Sequence, residues 1–412
     1  MQYKFWGFCF LRGFFIFSFY QCNHSKNVVN YELRTTNYEF RSQSSLKIGF
    51  LRRGYSSTGG AEAYLKRLAE GLRQQGYRVI LLGTGEWPRR EWPGGETIVL
   101  PQKNLCDLGA AVLRMKQQQQ IDLLFSFERV PGCDIFRAGD GVHAAWLDRQ
   151  ACVQPWWRRL MTKMNPKHRE VLRLERKLFS PESKTKIIAN SHMVAQEIRN
   201  YFSVSPARIT VIPNGVPAPP STTPEQRAAF RKEFGMGEKE CAVLFVGSGW
   251  KRKGLETALL AVEKAAVLDP KKPMRLWVAG KGKSHHYRSS VVKFLGPVKE
   301  LSRLYAAADI FILPTLYDPF SNASLEALAA GLPVITSAAN GCSEILDPEI
   351  HGSIIPNPRD EEGFAVALHQ WQQRLQDARD AEKMRHACAA RGAEFSIEKN
   401  VQATLKLIES MS

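Results

Sequence analysis

A chain of 412 residues with 44% apolar content is long enough for two α/β domains of ordinary size. Lysine and arginine total 57 against 40 acids, a formal charge of +17, which suits an anionic partner (nucleic acid, anionic lipid or a phosphorylated substrate) without choosing among them. No zinc-type cysteine pairs, aromatic-rich RNA-binding signature or helix-turn-helix pattern is present, which sets nucleic acid aside, and the eight cysteines (9, 22, 106, 133, 152, 241, 342 and 388) lack CxxC spacing and read as reduced thiols of a cytosolic protein.

Residues 1–45 differ in composition from the rest of the chain. The aromatic run FWGFCFLRGFFIFSFY at 5–20 is broken by Arg12 and Gly13, too short and interrupted for a transmembrane helix, and lacks the small-x-small cleavage site of a signal peptide. We expect an extension, disordered or misassigned from an upstream start codon, with a weak membrane anchor as the alternative. Ordered sequence opens with a strand at 46–51, a loop to Gly59-Gly60, a helix with apolar or small residues at Ala63, Leu65, Leu68, Ala69 and Leu72, and a strand at 77–82. This is a βαβ unit whose adjacent glycines read either as a turn or as a place where backbone approaches a ligand.

A buried-type strand covers 121–126, and another at 135–138 delivers Gly139, Asp140, Gly141 and His143 to the strand-end rim, where parallel sheets bind ligands. His143 is a candidate site residue, although a lone histidine is more often structural. Residues 156–177, WWRRLMTKMNPKHREVLRLERK, hold eight cations (158, 159, 163, 167, 169, 173, 176 and 177) against Glu170 and Glu175. Trp156, Trp157, Leu160, Met161 and Met164 add apolar bulk at helical spacing, the composition of an interfacial segment. On an anionic leaflet each cation contributes about 1 kcal/mol; the alternative is a solvated basic helix with its Trp pair in the core.

A strand at 186–190 and a helix lead to RITVIPNGVPAPPSTTPEQR, whose clustered prolines and polar residues mark a domain linker. The βα rhythm then restarts with a strand at 241–246. The next loop, GSGWKRKG at 247–254, sets three cations among glycines ahead of a helix, an anion site by fixed charge and by free N–H groups, or a solvated basic turn. A strand at 274–279 reaches Gly280-Lys281-Gly282, and FLGPV at 294–298 precedes a helix over 299–308. Last comes IFILPTLYDPFSNASLEALAAGLPVITS at 310–337: strand, loop, a helix that Ser321 or Asn322 caps and Gly331 ends, and strand. Asp318 and Glu326 fall in its loop and first turns, as ligand groups or as acids placed for the helix dipole. The order gives an α/β chain of two doubly wound domains with a cleft between them.

Taken together, Asp318-x7-Glu326 followed by ALAAGLPV, the GG-x-E loop at 59–62, IPNGV at 212–216 and GS-x-x-x-RKG at 247–254 resemble the retaining, GT-B-fold glycosyltransferases of family 4, over about residues 46–412. The resemblance implies two Rossmann-like domains, an acceptor-binding one at 46–215 and a nucleotide-sugar-binding one at 216–396, with a helix at 397–412 returning to the first. It implies that Arg252 and Lys253 neutralise the leaving diphosphate and that Asp318, where the family more often has Glu, faces the hexose. His143 would meet the donor sugar or acceptor. Gly59, Gly60, Gly247, Val298, Asn322, Ala323, Ser324, Leu325 and Glu326 would bind the donor, Val298 through a turn that reads the base and Glu326 through the ribose hydroxyls.

Among subgroups the chain looks most like the lipopolysaccharide core glucosyltransferases, implying UDP-glucose as donor, a saccharide or glycolipid acceptor, and a peripheral position on the cytoplasmic face of the inner membrane. No metal and no other cofactor is expected, because the chain has no Asp-x-Asp pair and Arg252 and Lys253 already supply positive charge. The alternatives are a starch- or glycogen-type enzyme, a transferase of another polysaccharide or glycolipid pathway, a non-catalytic nucleotide-sugar-binding protein, and a hydrolytic GT-B relative such as an epimerase.

Overall fold

The computed structural model describes residues 46–411 apart from 56–59, 84–86, 89–90, 102–103 and 271, together with a short antiparallel pair, β1 (Phe10–Leu11) and β2 (Phe14–Phe15). Most of the extension expected at 1–45, and Gly59, lie outside the described residues. Leu46–Ser412 forms one compact unit.

Two parallel sheets organise it. The first takes β3 (Lys47–Arg52), β4 (Arg78–Gly83), β5 (Glu96–Val99), β6 (Leu123–Ser126), β7 (Ile135–Arg137), β8 (Lys186–Ala189) and β9 (Ile209–Val211) in the order β5-β4-β3-β6-β7-β8-β9. Its connections are α1 (Gly60–Gln74), α2 (Leu105–Gln118), α3 (His143–Cys152), α4 (Trp156–Met164), α5 (Pro166–Leu178) and α6 (His192–Phe202). After the crossing, α7 (Pro224–Phe234) starts on a capping box made by Thr223 and Gln226. The second sheet takes β10 (Cys241–Val246), β11 (Met274–Ala279), β12 (Val292–Gly296), β13 (Ile310–Leu313), β14 (Val334–Ser337) and β15 (Gly352–Ile355) in the order β12-β11-β10-β13-β14-β15. Around it lie α8 (Trp250–Lys253), α9 (Leu255–Leu268), α10 (Leu301–Ala307), α11 (Asn322–Ala329), α12 (Glu361–Arg374) and α13 (Ala378–Ala393), and α14 (Ile397–Glu409) closes the chain.

The central strands are apolar runs such as CAVLFV and IFIL, buried throughout because helices cover both faces of a parallel sheet. In each sheet the winding reverses beside the first strand, between β3 and β6 and between β10 and β13. Loops leaving the carboxyl ends of strands at such a reversal splay apart and open a crevice. α14 packs on α1: Tyr64 donates from Oη to Asn400 Oδ1 at 2.7 Å, and a Cβ on Gly71 would stand 2.6 Å from Val401.

The basic stretch at 156–177, read as one segment, is two helices. Pro166 opens α5, and Asn165 caps it by accepting the Lys167 N–H at 3.0 Å. No residue of α4 is buried, and Trp156, Met161 and Met164 are 75%, 65% and 69% exposed; α5 buries Leu174, Glu175 and Leu178. The Trp pair is therefore outside the core, while the second half of the stretch serves the fold. No helix among the described residues is long and apolar enough to cross a membrane. The helix expected over 299–308 starts at Leu301, and the loop at 247–254 contains the one-turn α8.

Candidate functional site

Both reversal points open into one cavity of about 1270 Å³, walled by the two sheets' loops. On the second-sheet side, β10 ends at Gly247, whose φ is +145°; a Cβ there would lie 2.7 Å from Lys253 Cδ, so the lysine lies across the strand end only because the position is glycine. α8 presents Arg252 and Lys253 together. Lys253 Nζ is 3.4 Å and Arg252 Nη1 3.8 Å from Asp318 Oδ2, and Arg252 also donates to the Tyr317 carbonyl at 2.6 Å. Asp318 is buried, and its backbone is tied at both ends: its N–H donates to the Ala339 carbonyl at 3.0 Å and its carbonyl accepts from Gly341 at 2.9 Å.

Ser321 caps α11, its Oγ accepting the Ser324 N–H and its carbonyl the Leu325 N–H, each at 3.2 Å. Ser324 and Leu325 are fully buried, so the two residues expected at the donor face inward and spend their amides on the cap. Asn322 and Ala323, just before them on the helix, line the cavity, as do Val298 and Glu326. Burial pushes the Glu326 carboxyl up; Arg67, the Tyr305 hydroxyl donating at 3.1 Å, and Lys253 act against that rise. Gly60 is the first residue of α1.

On the first-sheet side, His143 opens α3. Its N–H donates to Glu175 Oε1 at 2.7 Å, and the Ala144 N–H donates to Oε2 at 3.3 Å. Glu175 is fully buried and pairs with Arg129 Nε at 2.9 Å, while Arg129 also donates to the Gly141 carbonyl at 3.0 Å. One carboxylate thus holds the helix start and, through Arg129, the glycine loop before it. The His143 ring lies 3.0 Å from His168 Nδ1, and burial first, then Arg129 and His168, push its pKa down to about 4, leaving a neutral imidazole in the cavity wall.

Tyr317 joins the two sides. Its Oη donates to Glu197 Oε2 at 2.6 Å and accepts from the Val142 N–H at 2.9 Å, and Arg149 donates to the other Glu197 oxygen at 2.6 Å. At Gly141, with φ +70°, a Cβ would come within 2.1 Å of that Oη. The residue beside Asp318 is therefore moored to the opposite domain. Sequence reasoning missed Glu175 and Tyr317. The signal for Glu175 was an acid flanked by Leu174 and Leu178 on a mostly basic helix; for Tyr317, 175 residues from Val142, there was none.

Among the described residues no group of three His, Cys, Asp or Glu side chains is placed to hold a metal ion. Two facing, doubly wound sheets with the crevice between them make the GT-B arrangement. Residues 240–374 match the family described as glycosyl transferases group 1, and residues 58–218 match Glycosyltransferase Family 4. The chain is 23% identical to the lipopolysaccharide glucosyltransferase WaaG of Escherichia coli (strain K12), over 78% of this chain and 88% of that protein. It is 28% identical to a D-inositol 3-phosphate glycosyltransferase of Geodermatophilus obscurus, over 53% of this chain and 51% of that one. Among solved structures, WaaG superposes with a TM-score of 0.74 at 21% identity, covering 88% of this chain and 99% of that one. Anabaena HepE in complex with UDP and glucose gives 0.68 at 17%, covering 89% and 100%. The fold class is thus that of the GT-B glycosyltransferases. Within it, the first half of the chain matches Glycosyltransferase Family 4 and the second half glycosyl transferases group 1.

Proposed function

We propose that this enzyme moves glucose from UDP-glucose to a saccharide of the lipopolysaccharide core, with retention of anomeric configuration and without a metal. The observation that carries the reading is the Arg252–Asp318–Lys253 cluster beside the start of α11. Two cations at one end of the cavity suit a diphosphate whose charge grows as the glycosidic bond breaks, and such charge stabilisation is the main lever available to a protein in this chemistry. In this reading Asp318, against those cations, meets the hydroxyls of a hexose turning oxocarbenium-like, and Glu326 meets the ribose. A neutral His143 can exchange hydrogen bonds with the sugars without adding charge. No covalent intermediate at Asp318 is invoked; the leaving phosphate assists attack from the same face. Donor and acceptor are suggested by the WaaG relative's name and by the UDP and glucose held by HepE.

The exposed α4 supports a peripheral position on an anionic leaflet at the cytoplasmic face of the inner membrane, with Arg158, Arg159 and Lys163 beside Trp156, Trp157 and Met161. The test is UDP release from UDP-glucose with and without extracted lipid acceptors, in chelator, with the product anomer read by NMR. Acceptor-dependent release giving an α-linked product in chelator is expected. A β-linked product, fast donor hydrolysis without acceptor, or abolition by chelator would each overturn the corresponding part.

A further inference from the structure

Four arginines line the first-sheet half of the cavity, and they are not equivalent. Arg52 is paired with Glu62 at 3.1 Å and Glu128 at 3.4 Å, and Arg129 with Glu175 at 2.9 Å. Arg137 and Arg67 form no ion pair with any described residue, although the charge of Arg67 is felt by the Glu326 carboxyl. Arg137 ends β7, beneath the Gly139–His143 loop, and is only 3% exposed. Its guanidinium lies 3.9 Å over the Tyr64 ring; one nitrogen donates to the neutral Asn214 Oδ1, and Nε has no hydrogen-bond partner. Arg67 stands one turn beyond Tyr64 on α1 and lines the same wall.

A buried guanidinium with a vacant donor and no carboxylate is costly unless an anion completes it, and planar N–H donors fit phosphate and carboxylate oxygens. The donor's diphosphate does not account for this anion, because Arg252 and Lys253 serve it from the second-sheet side. We propose that Arg137, with Arg67, binds an anionic group carried by the acceptor, so that the acceptor is a saccharide bearing a phosphate or a carboxylate. This rests on the reading of the cavity as a donor-plus-acceptor site.

The test uses the full chain saturated with UDP, so that the diphosphate cations are occupied, and titrates glucose 6-phosphate, glucuronate and glucose by calorimetry. Charged sugars should bind at least about tenfold more tightly than glucose, the worth of one charge-assisted hydrogen bond; which of the two is preferred tells phosphate from carboxylate. Arg137→Met and Arg67→Gln should each remove the preference. Should the buried Arg137→Met variant fail to fold, Arg67→Gln, on a helix surface, carries the test. Equal or absent binding of charged and uncharged sugars, a preference that survives Arg67→Gln, or a charged sugar that UDP displaces would overturn the proposal. Failure of UDP itself to bind would instead count against the donor reading, and the Arg67-dependent preference, measured without UDP, would still decide this one.

Discussion

Arg252 and Lys253 both point at a single oxygen of Asp318, so the three side chains form one charge cluster. If they face the leaving diphosphate as proposed, replacing both cations by Ala should lower turnover by about 10² or more, since charge develops there in the transition state. The same variant leaves a buried carboxylate unpaired, so melting should be followed alongside; near-normal turnover would remove the cluster from the mechanism. The proposed function gives the two acids separate roles. Asp318→Asn should then lower turnover with little change in donor affinity, whereas Glu326→Gln should mainly weaken donor binding, because a ribose contact would be made in ground and transition states alike. Glu326 also has a pH signature. Burial raises its pKa, so the folded protein holds that proton more tightly than the unfolded chain, and stability is greatest below the ordinary value of 4.5 and is lost as pH rises through the raised one. Glu326→Gln should therefore raise the melting temperature at neutral pH and give no gain below pH 4.5. A lower melting temperature at neutral pH would show that the ionised carboxylate is well compensated after all.

At the scale of elements, α4 and α5 divide a run of similar composition into a free surface and a structural strut. α4 exposes its cations and apolar side chains together, so charge reversal of Arg158, Arg159 and Lys163 to Glu should abolish binding to anionic vesicles and leave melting unchanged. Equal binding of the wild type to neutral and anionic vesicles would assign α4 another purpose. α5 behaves oppositely. Glu175→Gln removes a fully buried charge that neutralises Arg129 and holds the start of α3, so it should cost about 3 kcal/mol or more in denaturant unfolding.

Across the whole molecule, the two halves meet through polar contacts that are buried at Tyr317 and exposed at Glu344. Tyr317 reaches Glu197 and Val142, Glu344 accepts the N–H groups of His192 and Met193 at the start of α6, and α14 returns to α1. Tyr317→Phe should loosen this closure without unfolding either sheet, at about 1–3 kcal/mol for a buried hydrogen-bonding partner left without its mate. Faster proteolysis or hydrogen exchange at the crossing over 212–223, with turnover reduced and secondary structure intact, is the expected result; unchanged exchange there would mean that other contacts set the domain spacing.

Strands β10 and β13 begin and end where the sequence alone places them, because a strand buried on both faces is a continuous apolar run cut off by glycine or proline. The cap at Ser321 and the turn at Gly247 were equally legible, being contacts within a few residues. Most of the residues singled out in the sequence also line one cavity, since loops at strand ends inherit their place from the strands. What the chain of letters could not decide is which charges are spent. Glu175 meets His143 across 32 residues, Arg137 meets Asn214 across 77, and Tyr317 meets Glu197 across 120. Ser324 and Leu325 turn inward although Asn322 and Ala323 beside them do not. Each of these depends on how two sheets are set against each other, and a side chain's burial, pKa and free donors belong to that arrangement rather than to its neighbours in sequence.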